Sequence, residues 1–248
     1  MVNLSPADLP KEGSRFDLPI ALGILVASQQ LEQHALVNRV FIGELTLDGQ
    51  LRDVPGVLPI ALATHAEKQQ LVVPCANLVE AGMVKGMAVH GLPDLLSTCQ
   101  FIKGLIEPPE SPVINQPSAP TQYPDMSEVQ GQAHVKRALE IAASGGHSVL
   151  LSGPPGCGKT MLASRLPGIL PPLSHQEAAQ TAVIYSISHH GFQANHWQRR
   201  PFRAPHHSAS SAALVGGGNP PRPGEISLAH NGVLFLDEIT ELKKGLLD

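Results

Sequence analysis

The sequence predicts two incomplete domains: an α+β domain, then an α/β domain built on a parallel sheet. Three observations carry this expectation. The stretch 108–124 (PPESPVINQPSAPTQYP) holds six of the 23 prolines and shows no apolar periodicity. Proline fixes φ and donates no backbone hydrogen bond, so this stretch reads as a semi-extended linker. Ahead of it, short apolar runs alternate with helical patterns. After it come an apolar run, a glycine-rich turn, a helical pattern and a second apolar run, the order that parallel strands require. At 248 residues the chain has the length for two domains of ordinary size.

In the first domain, 1–107, Val2-Asn3-Leu4 reads as the end of a strand, as if the chain starts inside a domain. Leu18–Leu31 and Val57–Lys68 carry helical spacing, while Val40–Leu45 (VFIGEL) and Gln70–Val73 (QLVV) read as strands. Asp48-Gly49, set between Leu45-Thr46-Leu47 and Gln50-Leu51-Arg52, predicts a hairpin, because Asp-Gly accepts the positive φ of a type I′ turn.

In the second domain, 125–248, the segment Gln132–Ala143 places Val135, Ala138, Leu139 and Ala142 on one helical face, and Gly145-Gly146 ends it. Ser148–Leu151 reads as a short buried strand. A helix is expected from Lys159 to about Arg165, then a glycine- and proline-rich stretch. Val233–Leu236 reads as a strand buried on both faces, with Asp237 and Glu238 at its end.

Composition excludes several classes. The chain is 42% hydrophobic and 15% charged with net charge −4, so enough apolar mass exists for a core, and a nucleic-acid role needs a local basic patch. Three scattered cysteines, Cys75, Cys99 and Cys157, fit neither a disulfide framework nor a zinc site. The longest apolar run, Leu18–Ala27, is half the length of a membrane span, and no secretory signal opens the chain. A soluble, cytoplasmic protein without membrane contact is expected.

Chemistry concentrates in Gly153-Pro154-Pro155-Gly156-Cys157-Gly158-Lys159-Thr160, a phosphate-binding loop pattern. Glycines let the backbone curl so that several N–H groups face phosphate oxygens, and the following helix adds its positive end. Lys159 is expected to reach the β- and γ-phosphates of ATP and the Thr160 hydroxyl to coordinate Mg²⁺. Asp237 would orient the same ion, directly or through water. Glu238 would polarise the attacking water. A glycine-rich turn matching by chance, or an ordinary strand with a solvated acidic end, is the plainer reading of each half alone.

These two segments resemble the magnesium-chelatase-like AAA+ family known as YifB/ComM. The resemblance rests also on Arg200–Ser208 (RPFRAPHHS), Val215–Gly218 (VGGG), Pro223–Gly232 (PGEISLAHNG), and on Leu4–Gly13 and Gly43–Gly56, covering nearly the whole chain. It implies a P-loop AAA+ core, an ATP-hydrolysing ring motor that is hexameric in the family, and ATP with Mg²⁺ as cofactors. Competence-related members are helicases that move branched DNA during recombination after natural transformation. The glycine- and proline-rich segment resembles the inserted hairpins of that clade. The family's sensors, arginine finger and helical lid lie downstream of Glu238, so the chain is expected to be a fragment that binds ATP, with turnover and motor activity belonging to the complete family.

The first domain is similar to the proteolytic domain of Lon, which has a ribosomal S5 domain 2-like fold, through Pro10–Gly13, Gly43–Gly49 and the helix from Val57. Lon uses a serine activated by a lysine. The matching serine position falls near Asp17 and the lysine near Ile60, and neither can play the part. Ser14 lies close, but Leu58, Pro59 and Ile60 supply no amine. A non-catalytic module is expected, and an ATP-dependent protease is the disfavoured alternative.

His189, His190, His196, Trp197, Arg199, Arg200, Arg203, His206 and His207 crowd one stretch. Metal binding is one reading, although adjacent histidines rarely converge on one ion unaided. DNA backbone contact through Arg199, Arg200 and Arg203, with the aromatic stacking on bases, is a second. Subunit packing or loop scaffolding is a third. Two functions stay open for the motor, DNA remodelling and chelatase-type remodelling of a protein partner, beside that of an inactive remnant.

Overall fold

A computed structural model describes residues 14–108, 123–219 and 221–241. The strand-like Val2–Leu4, the Pro10–Gly13 motif, most of the proline-rich stretch and the chain after Glu241 lie outside the described residues. The described residues fall into two compact units. One holds those before position 118 together with His189–Asn195, and the other holds the rest.

In the first unit, α1 (Asp17–Ala27) buries Leu18 and Leu22. Strands β1 (Arg39–Phe41), β4 (Gln70–Pro74) and β5 (Val89–Leu92) form one sheet in the order β1-β4-β5, with both pairings parallel. Leu71, Val72 and Val73 of β4 are fully buried, as a central strand covered on both faces requires. Helices α2 (Val57–Ala66) and α3 (Leu78–Ala81) lie between these strands in sequence. Helix α4 (Leu95–Ile102) follows β5 and is capped by Asp94, whose carboxylate accepts the Ser97 N–H at 2.6 Å. The three-stranded sheet of this unit, read as α+β, is thus wholly parallel.

Two details differ from expectation. Val40–Leu45 is not one strand: β1 ends at Phe41, and β2 (Glu44–Leu45) joins β3 (Leu51–Arg52) in a separate antiparallel hairpin. The break falls at Gly43, whose N–H donates to Arg15 O at 3.0 Å and whose carbonyl accepts the Leu18 N–H at 3.1 Å. The backbone there serves the start of α1 instead of the sheet. The hairpin turn also differs. Of Asp48-Gly49 only Gly49 takes a positive φ (82°), and its N–H donates to Thr46 O, so the loop spans 46–50 and is no two-residue type I′ turn.

In the second unit, α5 (Ala133–Gly145) buries Leu139, Ala142 and Ala143, and stops where Gly146 takes φ +64°. Ala138, expected on the buried face, is exposed, and Ala143 takes its place. Leu139 packs with Val129 and Leu162, joined by Val135, Leu166 and Ile169. This cluster seats α6 (Lys159–Ala163) and α7 (Leu166–Ile169), which directly follow the glycine-rich loop. Helix α8 (His175–Ser186) opens with a capping box, in which Ser174 accepts the Glu177 N–H and the Glu177 carboxylate accepts the Ser174 N–H.

Strands β6 (Phe202–Arg203) and β9 (Val233–Leu234) pair in parallel, Phe202 opposite Val233 and Arg203 opposite Leu234. Gly232 permits this, since a Cβ there would overlap the Pro201 carbonyl. Between them lie α9 (Ser211–Val215), an antiparallel hairpin of β7 (Gly216–Gly217) and β8 (Arg222–Pro223), and α10 (Glu225–Leu228). The glycine- and proline-rich segment therefore does contain a hairpin. Two strand expectations need correction. Val233–Leu236 is a two-residue strand followed by extended chain, and its four side chains are half-buried. Ser148–Leu151 forms no strand: Leu150 is 83% exposed, and among the described residues no strand pairs with it. A strand is buried only by its neighbours, and β6 and β9 pair with each other.

Candidate nucleotide site

The loop 153–158 is bent by its glycines. Gly156 (φ +78°) and Gly158 (φ +87°) both sit in the left-handed region, which a side chain would strain. Gly158 is the residue before α6, and its carbonyl accepts the Leu162 N–H at 2.9 Å. Among the described residues the N–H groups of Gly156 and Gly158 have no protein partner, leaving two donors in a curled, exposed loop. This donor set fits a phosphate.

Lys159 turns back into the loop. Its ammonium donates to Gly153 O at 2.9 Å and Pro154 O at 3.1 Å, and lies 3.8 Å from Cys157 Sγ. The charge is thus presented at the inner face of the curl, where phosphate oxygens would displace weak carbonyl partners. Pro155 occupies the exposed turn, and Thr160 is exposed on the first turn of α6. Gln132, just ahead of α5, reaches the Cys157 carbonyl at 3.5 Å.

The acidic pair follows β9. The Phe235 N–H donates to Arg203 O at 2.8 Å, carrying the chain outward along β6 to exposed Asp237 and Glu238. Asp237 Oδ1 accepts the Glu238 N–H at 3.1 Å. Glu238 holds φ +50°, rare for a residue with a side chain. Its Oε2 lies 3.5 Å from His207 Nδ1, a pairing the sequence reading did not anticipate. Among the described residues no hydrogen bond or ion pair joins Lys159 or Thr160 to Asp237 or Glu238.

The arginine-rich stretch is engaged within its own unit. Arg203 forms a two-pronged ion pair with Glu225, Nε to Oε2 and Nη2 to Oε1, both 2.5 Å. The Arg203 charge is stabilised by that carboxylate, which raises its pKa against the opposing effect of burial. Arg200 donates to the Pro171 and Asn231 carbonyls at 2.5 and 2.6 Å, and Arg199 lies over the Tyr123 ring, 5.5 Å from its centroid. Trp197, expected as an exposed stacking surface, is 5% exposed and packs edge-on to His175. Its bulk is spent in the core. Among the described residues no three His, Cys, Asp or Glu side chains converge as a metal site.

In the first unit, Asp17 Oδ2 accepts the Leu45 N–H at 3.3 Å and Ser14 Oγ donates to the Glu44 carboxylate. Ile60 offers only its carbonyl, to Thr64.

A glycine-bent loop with its lysine folded inward, a helix behind it, and a short parallel strand with Asp237-Glu238 a few residues beyond its end are parts found in the P-loop class of proteins. Residues 125–248 match the family described as magnesium chelatase, subunit ChlI, and residues 1–77 match subunit ChlI of Mg-chelatase. The chain is 51% identical to the competence protein ComM of Haemophilus influenzae, over all of this chain and 49% of that protein. It is 49% and 48% identical to proteins named YifB of Salmonella typhimurium and Escherichia coli, again over all of this chain and 49% of each relative. The chain belongs to the magnesium-chelatase-like YifB/ComM family of AAA+ ATPases. It spans about half the length of the curated relatives it matches.

Proposed function

We propose that this chain binds Mg-ATP through Gly153–Thr160, with Thr160 and Asp237 facing the metal and Glu238 acting as general base, as the ATPase part of a ring motor that remodels branched DNA in the cytoplasm. The observation that carries the nucleotide reading is the loop. Two left-handed glycines leave two donors free beside an inward-turned lysine. When bound, Mg²⁺ would neutralise charge on the triphosphate oxygens. The chain's own part is to grip those oxygens with backbone N–H groups and Lys159, and to draw a proton from water at Glu238. The DNA reading draws on the relative named as a competence protein, with Arg199 the least engaged of the three arginines. A chelatase-type action on a protein partner is the second reading, favoured by the matched family's description and by the internal pairing of Arg200 and Arg203. ATP binding and turnover, measured with and without branched DNA, separate these. DNA-stimulated turnover supports the first, and turnover indifferent to DNA overturns it. The first unit acts as a non-catalytic, Lon-like module joined by the proline-rich linker, so no peptide cleavage is expected. ATP-dependent casein degradation abolished by Ser14→Ala would contradict this.

A further inference from the structure

In the first unit a cavity of about 420 Å³ opens between α1, the hairpin loop 46–50 and the start of α4. Backbone bonds fix its walls. The Leu95 N–H donates to Gly49 O at 2.9 Å and the Leu51 N–H to Pro93 O at 2.8 Å, stitching the loop to the helix start. Leu25, Leu95 and Cys99 pack against the buried cluster of Leu18, Leu22 and Ile102. Pre-set walls and this volume suit a ligand or an anchoring side chain. The lining is divided by chemistry. Leu25, Leu95, Leu96 and Cys99 supply apolar surface, Asp48 and Asp94 supply two carboxylates, and no lining residue is basic. The Thr46 hydroxyl donates to Asp48 and holds its carboxyl below the usual range, so Asp48 is charged at neutral pH. Arg52, whose charge is felt at Asp48, is itself paired with Glu44 at 3.8 Å. Asp94 caps α4 through Oδ1, and among the described residues its Oδ2 has no hydrogen-bond partner. Its full charge outweighs the partial positive charge of that helix end. Apolar surface continues past the cavity: Leu96 on its lip is 69% exposed, and Leu47, next to Asp48, is fully exposed. A ligand small enough to sit inside would leave Leu47 in water. Exposed aliphatic side chains beside an acidic rim match a macromolecular surface that brings apolar and basic groups together.

We propose that this cavity docks a basic, apolar segment of a partner protein. An aliphatic or aromatic side chain of the segment fills the space over Leu25, Leu95 and Cys99, and a neighbouring arginine or lysine meets Asp48 and Asp94. The site belongs to the first unit and does not depend on the nucleotide reading.

The test uses the 248-residue chain and two fluorescent peptides, one alternating leucine with arginine, the other with glutamate in place of every arginine. By anisotropy the arginine peptide is expected to bind at least about 10-fold more tightly. Asp48→Asn, and Asp94→Asn, which keeps a helix cap, should each weaken it by about 2- to 5-fold and flatten its salt dependence. Leu96→Ser, at an exposed position, should weaken it by about 10-fold with the unfolding midpoint unchanged. Bound peptide should slow alkylation of Cys99, read by mass spectrometry with Cys157 of the second unit as the internal reference. Equal affinity for the two peptides overturns the proposal. So does unaltered affinity in both aspartate variants, or Cys99 alkylation indifferent to saturating arginine peptide. A dimer of the chain that Leu96→Ser abolishes overturns it by assigning the face to a second copy. Hexylamine that shields Cys99 as well as the peptide does at equal concentration overturns it in favour of a small amine.

Discussion

Arg203 and Glu225 meet in a fork of two 2.5 Å hydrogen bonds that ties β6 to α10 across the hairpin-bearing segment. Both side chains are only about one-fifth exposed (23% and 21%). A planar guanidinium matches a carboxylate at two points, which an ammonium cannot. Arg203→Lys is therefore expected to destabilise the second unit by about 1–2 kcal/mol. Denaturant unfolding checks this, and an unchanged midpoint would show that the fork contributes nothing net.

Lys159→Ala should leave the unfolding midpoint nearly unchanged, because the ammonium holds only loop carbonyls on the exposed surface. Nucleotide affinity should fall by about 10- to 100-fold, the equivalent of a charge-assisted hydrogen bond. Thr160→Ala should instead weaken binding chiefly when Mg²⁺ is present. Titration of a fluorescent nucleotide with and without Mg²⁺ distinguishes the two.

Glycine substitutions should have opposite signs at two positions. Gly158 holds φ +87°, so Gly158→Ala is strained and should cost about 1 kcal/mol together with nucleotide affinity. Gly23 lies inside α1, and a Cβ there meets nothing within 4 Å. Gly23→Ala should stabilise the first unit by about 0.5–1 kcal/mol. Thermal unfolding of both variants tests the pair, and the idea fails if they move together.

Acid should weaken the first unit through His90. Burial, reinforced by the Arg39 charge, lowers the His90 pKa, and its ring packs 4.7 Å from that of Phe101. The fold thus holds His90 neutral while the unfolded chain takes up a proton below about pH 6.5. Stability from this source is present above the unfolded value and is lost as pH falls through it. Unfolding midpoints measured from pH 8 to pH 5 should decline, and His90→Phe should flatten the decline. An identical slope in the variant would remove His90 as its cause.

Much of the candidate site was legible because it is local. Gly156, Gly158 and Lys159 act within one loop, and their types alone demand the curl and place the charge inside it. The end of α5 at Gly145-Gly146 was legible for the same reason. Helix α8 was not read, although Ser174 and Glu177 stand at capping-box spacing ahead of it. That signal was available and outweighed by the surrounding glycines and prolines. The His207–Glu238 pair carried no local signal, since it depends on the register of two strands far apart in sequence.

Residue type and spacing by themselves determined the glycine-bent loop, the place of the acidic pair and the family, because each needs only neighbours within a few residues or a long run of matching motif. Tertiary structure decided which apolar runs became strands and which polar side chains were already engaged. Leu150 and Leu234 are similar in sequence context, yet only the second has a parallel partner. Arg199, Arg200 and Arg203 look alike as charges, yet two of them are committed to carbonyls and a carboxylate of their own unit. Burial and pairing are properties of what lies alongside, and that is set by the fold's long-range register.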